Sequence, residues 1–146
     1  MKYLTNNISE TRKIGAQKAE KAKKKKTANV FCLRGDLGSG KTAFLQGFGK
    51  GLLVKQKIQS PTFIIMSRFS LKNKEFKNFF HFDCYRLDTS EEIINLGFKE
   101  IIANPENIVA IEWPEKIEKF LPPQRTEIIF KIINENQREI TFKKIK

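Results

Sequence analysis

The stretch Gly35-Asp-Leu-Gly-Ser-Gly-Lys-Thr42 decides the fold, because it fits the pattern G-x-x-x-x-G-K-[ST]. The residues before it, from Asn29 to Arg34, predict a short buried strand, and those from Lys41 onward predict a helix. Small residues between a strand and a helix let the backbone curl, so that successive amide groups point at phosphate oxygens. The helix adds its positive amino end. The sequence therefore predicts a loop that binds phosphate groups.

Each position of this loop has an expected task. Lys41 is placed to reach the β- and γ-phosphates of a nucleotide, and the hydroxyl of Thr42 is a ligand for Mg²⁺. The predicted nucleotide-binding residues are Gly35, Asp36, Leu37, Gly38, Ser39, Gly40, Lys41, Thr42 and Ala43.

A phosphate loop needs a second group on the side of the metal, and acidic residues at the carboxyl ends of neighbouring strands usually supply it. Glu112 follows the apolar residues 108–111, which predict a buried strand. A carboxylate there can hold Mg²⁺ through water or orient the attacking water, and the alternative is a charge that simply ends a strand. Lys41 and Glu112 are thus the first two candidate catalytic residues.

Two further residues are candidate sensors of the γ-phosphate. Thr62 follows Pro61 twenty residues after Thr42, where GTPase-like proteins keep a threonine that responds to the γ-phosphate and metal. Asp83 alternates with the aromatic residues of a predicted strand, so it faces away from them and could lie along the phosphate groove. A threonine in a turn, and an aspartate paired with Arg86, are the structural alternatives.

The rest of the chain predicts one α/β domain over residues 1–146. Strands separated by helices, followed by a terminal hairpin, favour a three-layer fold with a mixed, mostly parallel central sheet flanked by helices. The other predicted elements are a helix over 8–25 opened by Asn7 and Glu10, a strand near 63–69, a strand in NFFHFDCYRL, a helix from Thr89 to Gly97, short helices over 98–103 and 115–120, and a hairpin with its turn near 134–137.

The composition excludes several classes of protein. The 146 residues are 40% hydrophobic, yet no apolar run approaches the eighteen or so residues that cross a bilayer. The first thirteen residues lack the apolar stretch of a secretory signal. Cys32 and Cys84 are too few for a disulfide scaffold and form no metal-binding pair, so we expect buried thiols. These features predict a soluble, cytoplasmic protein without a membrane partner.

The formal net charge of +12 raises the hypothesis of nucleic-acid binding. Lysine supplies 22 of the 28 cations and arginine, which reads phosphates and bases better, only six. A general bias toward lysine is therefore one explanation. The one cluster of lysines lies between Lys18 and Lys26. It is interpreted either as a solvated helix end or as a docking patch for RNA or an acidic protein surface.

The segments GDLGSGKT, SPTF, HFDCYRL and IEWPE, in this order and at these separations, resemble the TsaE (YjeE-type) family. The resemblance extends from Thr11 to Ile140. It implies a P-loop NTPase fold and a Mg²⁺-dependent ATPase that is slow by itself. It also implies action on a complex of TsaD and TsaB, which forms threonylcarbamoyladenosine at position 37 of tRNAs reading codons that begin with A. Contact with tRNA is expected through that complex.

The resemblance assigns roles residue by residue. Lys41 and Thr42 become phosphate and Mg²⁺ residues, Glu112 the second magnesium-side carboxylate, and Asp83 and Thr62 residues linked to hydrolysis. Trp113 becomes a functional aromatic beside Glu112, with a core position as the alternative. Two residues depart from the family pattern, Ala43 where a second Thr is common and Phe69 where a Tyr is common.

Two other functions are weighed against the ATPase subunit. A small-metabolite or nucleotide kinase with a P-loop needs an acceptor pocket and an arginine-bearing lid, for which 146 residues and six arginines leave little room. A nucleic-acid-binding protein whose phosphate loop is incidental would bind RNA independently of Lys41.

Overall fold

A computed structural model describes residues 1–58 and 64–146 of the chain. Seven strands and three α-helices lie in this part. The strands are β1 (Lys2–Thr5), β2 (Asn29–Arg34), β3 (Met66–Ser70), β4 (Asn78–Asp83), β5 (Asn107–Glu112), β6 (Arg125–Ile132) and β7 (Arg138–Ile145). The helices are α1 (Ile8–Glu20), α2 (Lys41–Gly51) and α3 (Phe98–Ala103), together with two 3₁₀ segments, Ser90–Leu96 and Pro114–Phe120.

All described strands join one mixed sheet in the order β1-β7-β6-β2-β5-β4-β3. The four central strands β6, β2, β5 and β4 run parallel, while β1, β7 and β3 pair antiparallel at the edges. The carboxyl ends of parallel strands lie at one edge of a sheet, and ligands of open α/β sheets bind beyond that edge. The register pairs Leu33 of β2 and Asp83 of β4 with Glu112 of β5, which brings the predicted site residues to this edge.

Helices cover both faces of the sheet, so the fold has the three layers that the sequence predicts. Alternate residues of β2 show the division: Phe31 and Leu33 pack with α1 and α2, whereas Val30 and Cys32 pack with α3 and the two 3₁₀ segments. Phe44, Leu45 and Phe48 of α2 are buried, and so is Leu52 directly after the helix. The two cysteines are also buried, as expected. In the described residues no helix has the length and apolar character needed to cross a membrane.

Helix α1 lies directly against α2, and glycines make this approach possible. A Cβ atom at Gly47 would lie 1.9 Å from the carbonyl oxygen of Arg12, and one at Gly15 would lie 2.1 Å from that of Phe44. At such distances only glycine fits between two helix backbones. The few apolar residues of α1 are therefore sufficient, because backbone contact replaces large side chains.

The structure corrects three predictions of secondary structure. Helix α1 ends at Glu20 and not at residue 25, since a run of like charges disfavours helix and the chain must turn toward β2. The helices predicted between Thr89 and Gly97 and over 115–120 are 3₁₀ segments, Ser90–Leu96 and Pro114–Phe120, a form that short segments adopt readily. Strand β1 was not predicted, because its four residues show no clear alternation of apolar and polar side chains. It forms by pairing with β7, from the far end of the chain.

Candidate phosphate-binding site

The predicted phosphate loop connects β2 to α2 and owes its shape to three glycines. Gly35, Gly38 and Gly40 have φ angles of 156°, 79° and 107°, a region that other residues rarely adopt. A Cβ atom at Gly35 would also lie 2.8 Å from the carbonyl oxygen of Phe130. Gly40 caps α2, whose first turn has backbone N–H groups without partners inside the helix. The loop therefore presents free amide donors and a positive helix end together.

A cleft of about 650 Å³ opens in front of the loop. The predicted residues that line it are Leu37, Gly38, Gly40, Lys41, Thr42, Ala43, Glu112 and Trp113. Gly35, Asp36 and Ser39 line a smaller hollow beside Phe130 instead, and the N–H of Ser39 donates to the carbonyl of Asp36 at 3.1 Å. These three residues therefore shape the loop from behind, and the residues named before them face the cleft. Thr62 lies outside the described residues.

Lys41 is held between the loop and an aromatic ring. Its Nζ donates to the carbonyl oxygen of Gly35 and lies 3.7 Å from the ring centroid of Trp113. Burial lowers the pKa of Lys41, and the carboxylate of Glu112 opposes this effect. A cation over an aromatic face is attracted by the ring quadrupole, so Trp113 keeps the ammonium group at the mouth of the loop.

Glu112 forms a buried pair with His81. The Nε2 of His81 and the Oε2 of Glu112 lie 2.8 Å apart, and the two residues are only 1% and 3% exposed. They reach each other because β4 and β5 are adjacent and parallel, with both side chains on the face that α2 covers. A buried carboxylate needs such a partner. The histidine therefore fixes one oxygen of Glu112.

Asp83 stands beside Glu112 in the parallel register of β4 and β5. Its Oδ1 accepts a hydrogen bond of 3.1 Å from the backbone N–H of Tyr85. Burial raises the pKa of Asp83; the bond from Tyr85 opposes this, and the charge of Glu112 adds to the rise. As predicted, Asp83 points away from Phe80 and Phe82, and it shares its face of the sheet with His81. Two carboxylates thus meet at the strand ends.

Trp113 has a left-handed backbone, with φ 56° and ψ 50°. For a residue other than glycine this conformation costs roughly 1–3 kcal/mol, and it persists only where the surroundings enforce it. The turn reverses the chain directly after Glu112 and leads into the 3₁₀ segment Pro114–Phe120. It also brings the indole to 5.0 Å from the ring of Tyr85. The strained position is what places the indole over Lys41.

Sequence reasoning missed two residues of this region. His81 lies two positions before Asp83 in a strand, and that spacing alone indicates a shared face. Arg138 lines the cleft, and its Nε donates to the carbonyl of Gly38 at 3.1 Å. Its other donors hold the carbonyls of the β6–β7 turn, Asn134, Glu135 and Gln137. No local signal predicts a contact between residues 100 positions apart.

The donor set suits a magnesium-bound nucleotide. Thr42 and Glu112 place a hydroxyl and a carboxylate on the same cleft, and Mg²⁺ binds one or two such oxygens together with phosphates and water. Within residues 1–58 and 64–146 no group of three or more His, Cys, Asp or Glu side chains could hold a metal ion alone. A cation here would therefore share its coordination with a bound phosphate, which is the usual arrangement for Mg²⁺.

Comparison with known proteins gives one consistent family. The model of the family described as "Threonylcarbamoyl adenosine biosynthesis protein TsaE" matches residues 5–140. A relative from Bacillus subtilis, named tRNA threonylcarbamoyladenosine biosynthesis protein TsaE, is 36% identical over 142 residues, which are 97% of this chain and 84% of the relative. One of the same name from Borreliella burgdorferi is 39% identical over 105 residues, covering 71% and 74%. The crystal structure of Bacillus subtilis YdiB superposes with a TM-score of 0.79 at 32% identity, covering all of this chain and 86% of that one.

Proposed function

This chain belongs to the TsaE family, and from that premise we propose that it binds ATP with Mg²⁺ and hydrolyses it. Its relatives are named for threonylcarbamoyladenosine biosynthesis in tRNA. We infer that hydrolysis serves a cytoplasmic complex of TsaD and TsaB homologues, which modifies adenosine 37 of tRNAs reading codons that begin with A. The observation that carries the proposal is that the phosphate loop, Lys41, Thr42 and the buried Glu112 converge on one cleft.

The loop and Lys41 would bind the triphosphate. The free amides at the start of α2 and the ammonium group both face oxygens of high negative charge. Lys41 now donates to the carbonyl of Gly35, an uncharged acceptor. A phosphate oxygen forms a stronger, charge-assisted bond, so the ammonium group exchanges one acceptor for the other when ATP binds.

Thr42 and Glu112 are the residues that would hold Mg²⁺. Bound there, the ion supplies positive charge against the β- and γ-phosphates. His81 restricts the carboxylate of Glu112 to one orientation, which leaves its second oxygen for the ion or for the attacking water. Asp83 adds a second carboxylate next to it, with a pKa raised by burial. We assign Asp83 to the hydrolytic step, together with Thr62.

We expect slow turnover of the isolated chain. Phosphoryl transfer relies on positive charge around the transition state, and an arginine often completes the site. Among the described residues that line the cleft, Arg138 is the only arginine, and its guanidinium already binds backbone carbonyls of the loop and of the β6–β7 turn. The TsaD–TsaB complex would supply the missing positive charge at the transition state or reposition the groups of the site.

Two substitutions test the proposal. Lys41→Ala removes the phosphate contact, so ATP affinity falls, whereas Glu112→Gln keeps the shape of the site, so ATP still binds but hydrolysis is lost. Lys50→Ala is the matched control, because Lys50 is exposed in the same helix and faces away from the cleft. ATP binding is followed by calorimetric titration and hydrolysis by phosphate release, with and without the TsaD and TsaB homologues.

Three outcomes would contradict the proposal: normal hydrolysis by Glu112→Gln, turnover of tens per second by the isolated chain, or no capture of TsaD and TsaB homologues in a pull-down with ATP. Transfer of phosphate to a nucleoside or metabolite faster than to water would favour a kinase instead.

A further inference from the structure

A second groove, of about 570 Å³, lies at the opposite end of the sheet from the phosphate loop. The end of α1, the segment that follows it, the starts of β2 and β6 and the end of β7 form its walls. Strand β2 starts at this groove with Asn29 and ends at the loop with Arg34. Five residue steps of about 3.3 Å separate the two ends by about 16 Å. A ligand in this groove is therefore distinct from the nucleotide.

The groove, which we call the lysine groove, is strongly positive. Lys18, Lys21, Lys23, Lys25 and Lys144 line it, and no carboxylate is among its lining residues. Throughout the described part of the chain, no acidic side chain lies within ion-pair distance of these five lysines. Five cations without counter-charges in one concave surface attract a polyanion.

Lys23 and Lys25 of the groove lie in the segment that follows α1. The segment after α1 leaves the helical path, with the carbonyl of Lys23 accepting from the Nδ2 of Asn29 at 3.0 Å. The N–H of Lys24 donates to Glu75 at 3.1 Å. Lys21, Ala22, Lys23 and Lys25 consequently line the groove, while Lys24 and Lys26 do not. The interpretation as a solvated helix end holds for the start of the cluster, since Lys18 lies in the last turn of α1 and Lys21 is its C-cap, whereas Lys23 to Lys26 lie beyond the helix.

We propose that the lysine groove binds the phosphate backbone of RNA. Lysine is a point charge that suits phosphate oxygens, and no arginine lines the groove to read bases. Its floor includes Phe142, whose partly exposed ring lies 4.4 Å from the Nζ of Lys18 and offers a surface for a ribose or a base. The choice of RNA over an acidic protein draws on the family of the chain, whose members are named for a tRNA modification. Contact with tRNA is then direct, in contrast to the contact through the TsaD–TsaB complex that the family resemblance implies.

The experiment measures binding of a labelled, unmodified tRNA transcript to the full chain between 50 and 200 mM salt. If about five phosphates are neutralised, the logarithmic salt slope is about −3.5 to −4.5, and affinity falls on the order of 100- to 500-fold over this range. The double variant Lys23→Gln/Lys25→Gln should weaken binding at 0.1 M salt by roughly 25- to 60-fold and flatten the slope by about 1.4 to 1.8.

Lys99→Gln/Lys116→Gln is the matched control, since these lysines are exposed, lie outside the groove and carry the same charge. It should leave the affinity within a few-fold. The proposal would be overturned by equal losses of affinity in both double variants or by binding that does not depend on salt. Tighter binding of poly-glutamate than of tRNA would also overturn it, in favour of an acidic protein partner. Lys41→Ala should retain tRNA binding, and the groove variant should retain ATP binding, so failure here is distinguishable from failure of the ATPase.

Discussion

Replacement of Gly47 by alanine tests the packing that places α1 beside the phosphate-binding helix. The new Cβ atom would lie 1.9 Å from the carbonyl oxygen of Arg12 and 2.7 Å from its Cα, while real Cβ contacts are essentially never shorter than 3.0 Å. Both neighbours are backbone atoms, so no change of side-chain rotamer relieves the overlap. The two helices must separate by more than 1 Å, and a gap of about 1 Å already forfeits about half of each dispersion contact.

The magnitude follows from two opposing terms. Alanine in place of glycine stabilises a helix interior by about 1 kcal/mol. Overpacking destabilises by about 1–3 kcal/mol, and this site lies at the upper end because backbone must move. We expect Gly47→Ala to lower the free energy of unfolding by about 2 kcal/mol and the melting temperature by about 4–8 °C.

The measurement is urea unfolding followed by circular dichroism, with Lys50→Ala as the exposed control in the same helix, expected within about 0.5 kcal/mol of the parent chain. A Gly47→Ala chain as stable as its parent would show that the helices do not approach as described. ATP affinity should fall as well, because residues 6–9 and 11, at and just before the start of α1, line the cleft.

Three further predictions concern the two cysteines, His81 and Arg138. Burial raises the pKa of both Cys32 and Cys84 from 9.0 to about 12, so their thiols stay protonated in the folded chain while the unfolded chain releases the protons. The stability present below pH 9 should fall as the pH rises toward 12, by about 1.4 kcal/mol per thiol at pH 10, and Cys32→Ala should halve that slope in unfolding titrations. His81→Phe should lose about 1–3 kcal/mol of stability and most of the hydrolysis, because Glu112 then lies buried without a partner, whereas His81→Gln should recover part of both; equal effects of the two variants would contradict a positioning role. Arg138→Ala should raise the dissociation constant of ATP about 2- to 12-fold in a calorimetric titration, since one bond that anchors the loop is lost, and unchanged affinity would mean that the loop holds its shape without it.

Local sequence signals account for much of the fold, because their causes lie within a few residues. The phosphate loop follows from three glycines that take positive φ angles within six residues. Thr89 opens and Gly97 ends the segment predicted between them, and Thr89 forms a capping box with Glu92. The helix after Lys41 and the terminal hairpin also follow from hydrophobic period and turn chemistry. These features depend on neighbouring residues and not on how the rest of the chain packs.

The site as a whole depends on contacts between distant parts of the chain, which no local pattern encodes. Glu112 was predicted at a strand end, but its pairing with His81 exists only because β4 lies beside β5 in a parallel register. The left-handed backbone of Trp113 and the hydrogen bond from Arg138 to Gly38 also depend on contacts between distant parts of the chain. Sequence alone determined that a phosphate loop would form between β2 and α2, since backbone conformation is set by neighbours. Tertiary structure decided which charges face that loop and which lysines face outward together, because strand order and helix packing set distances across the molecule.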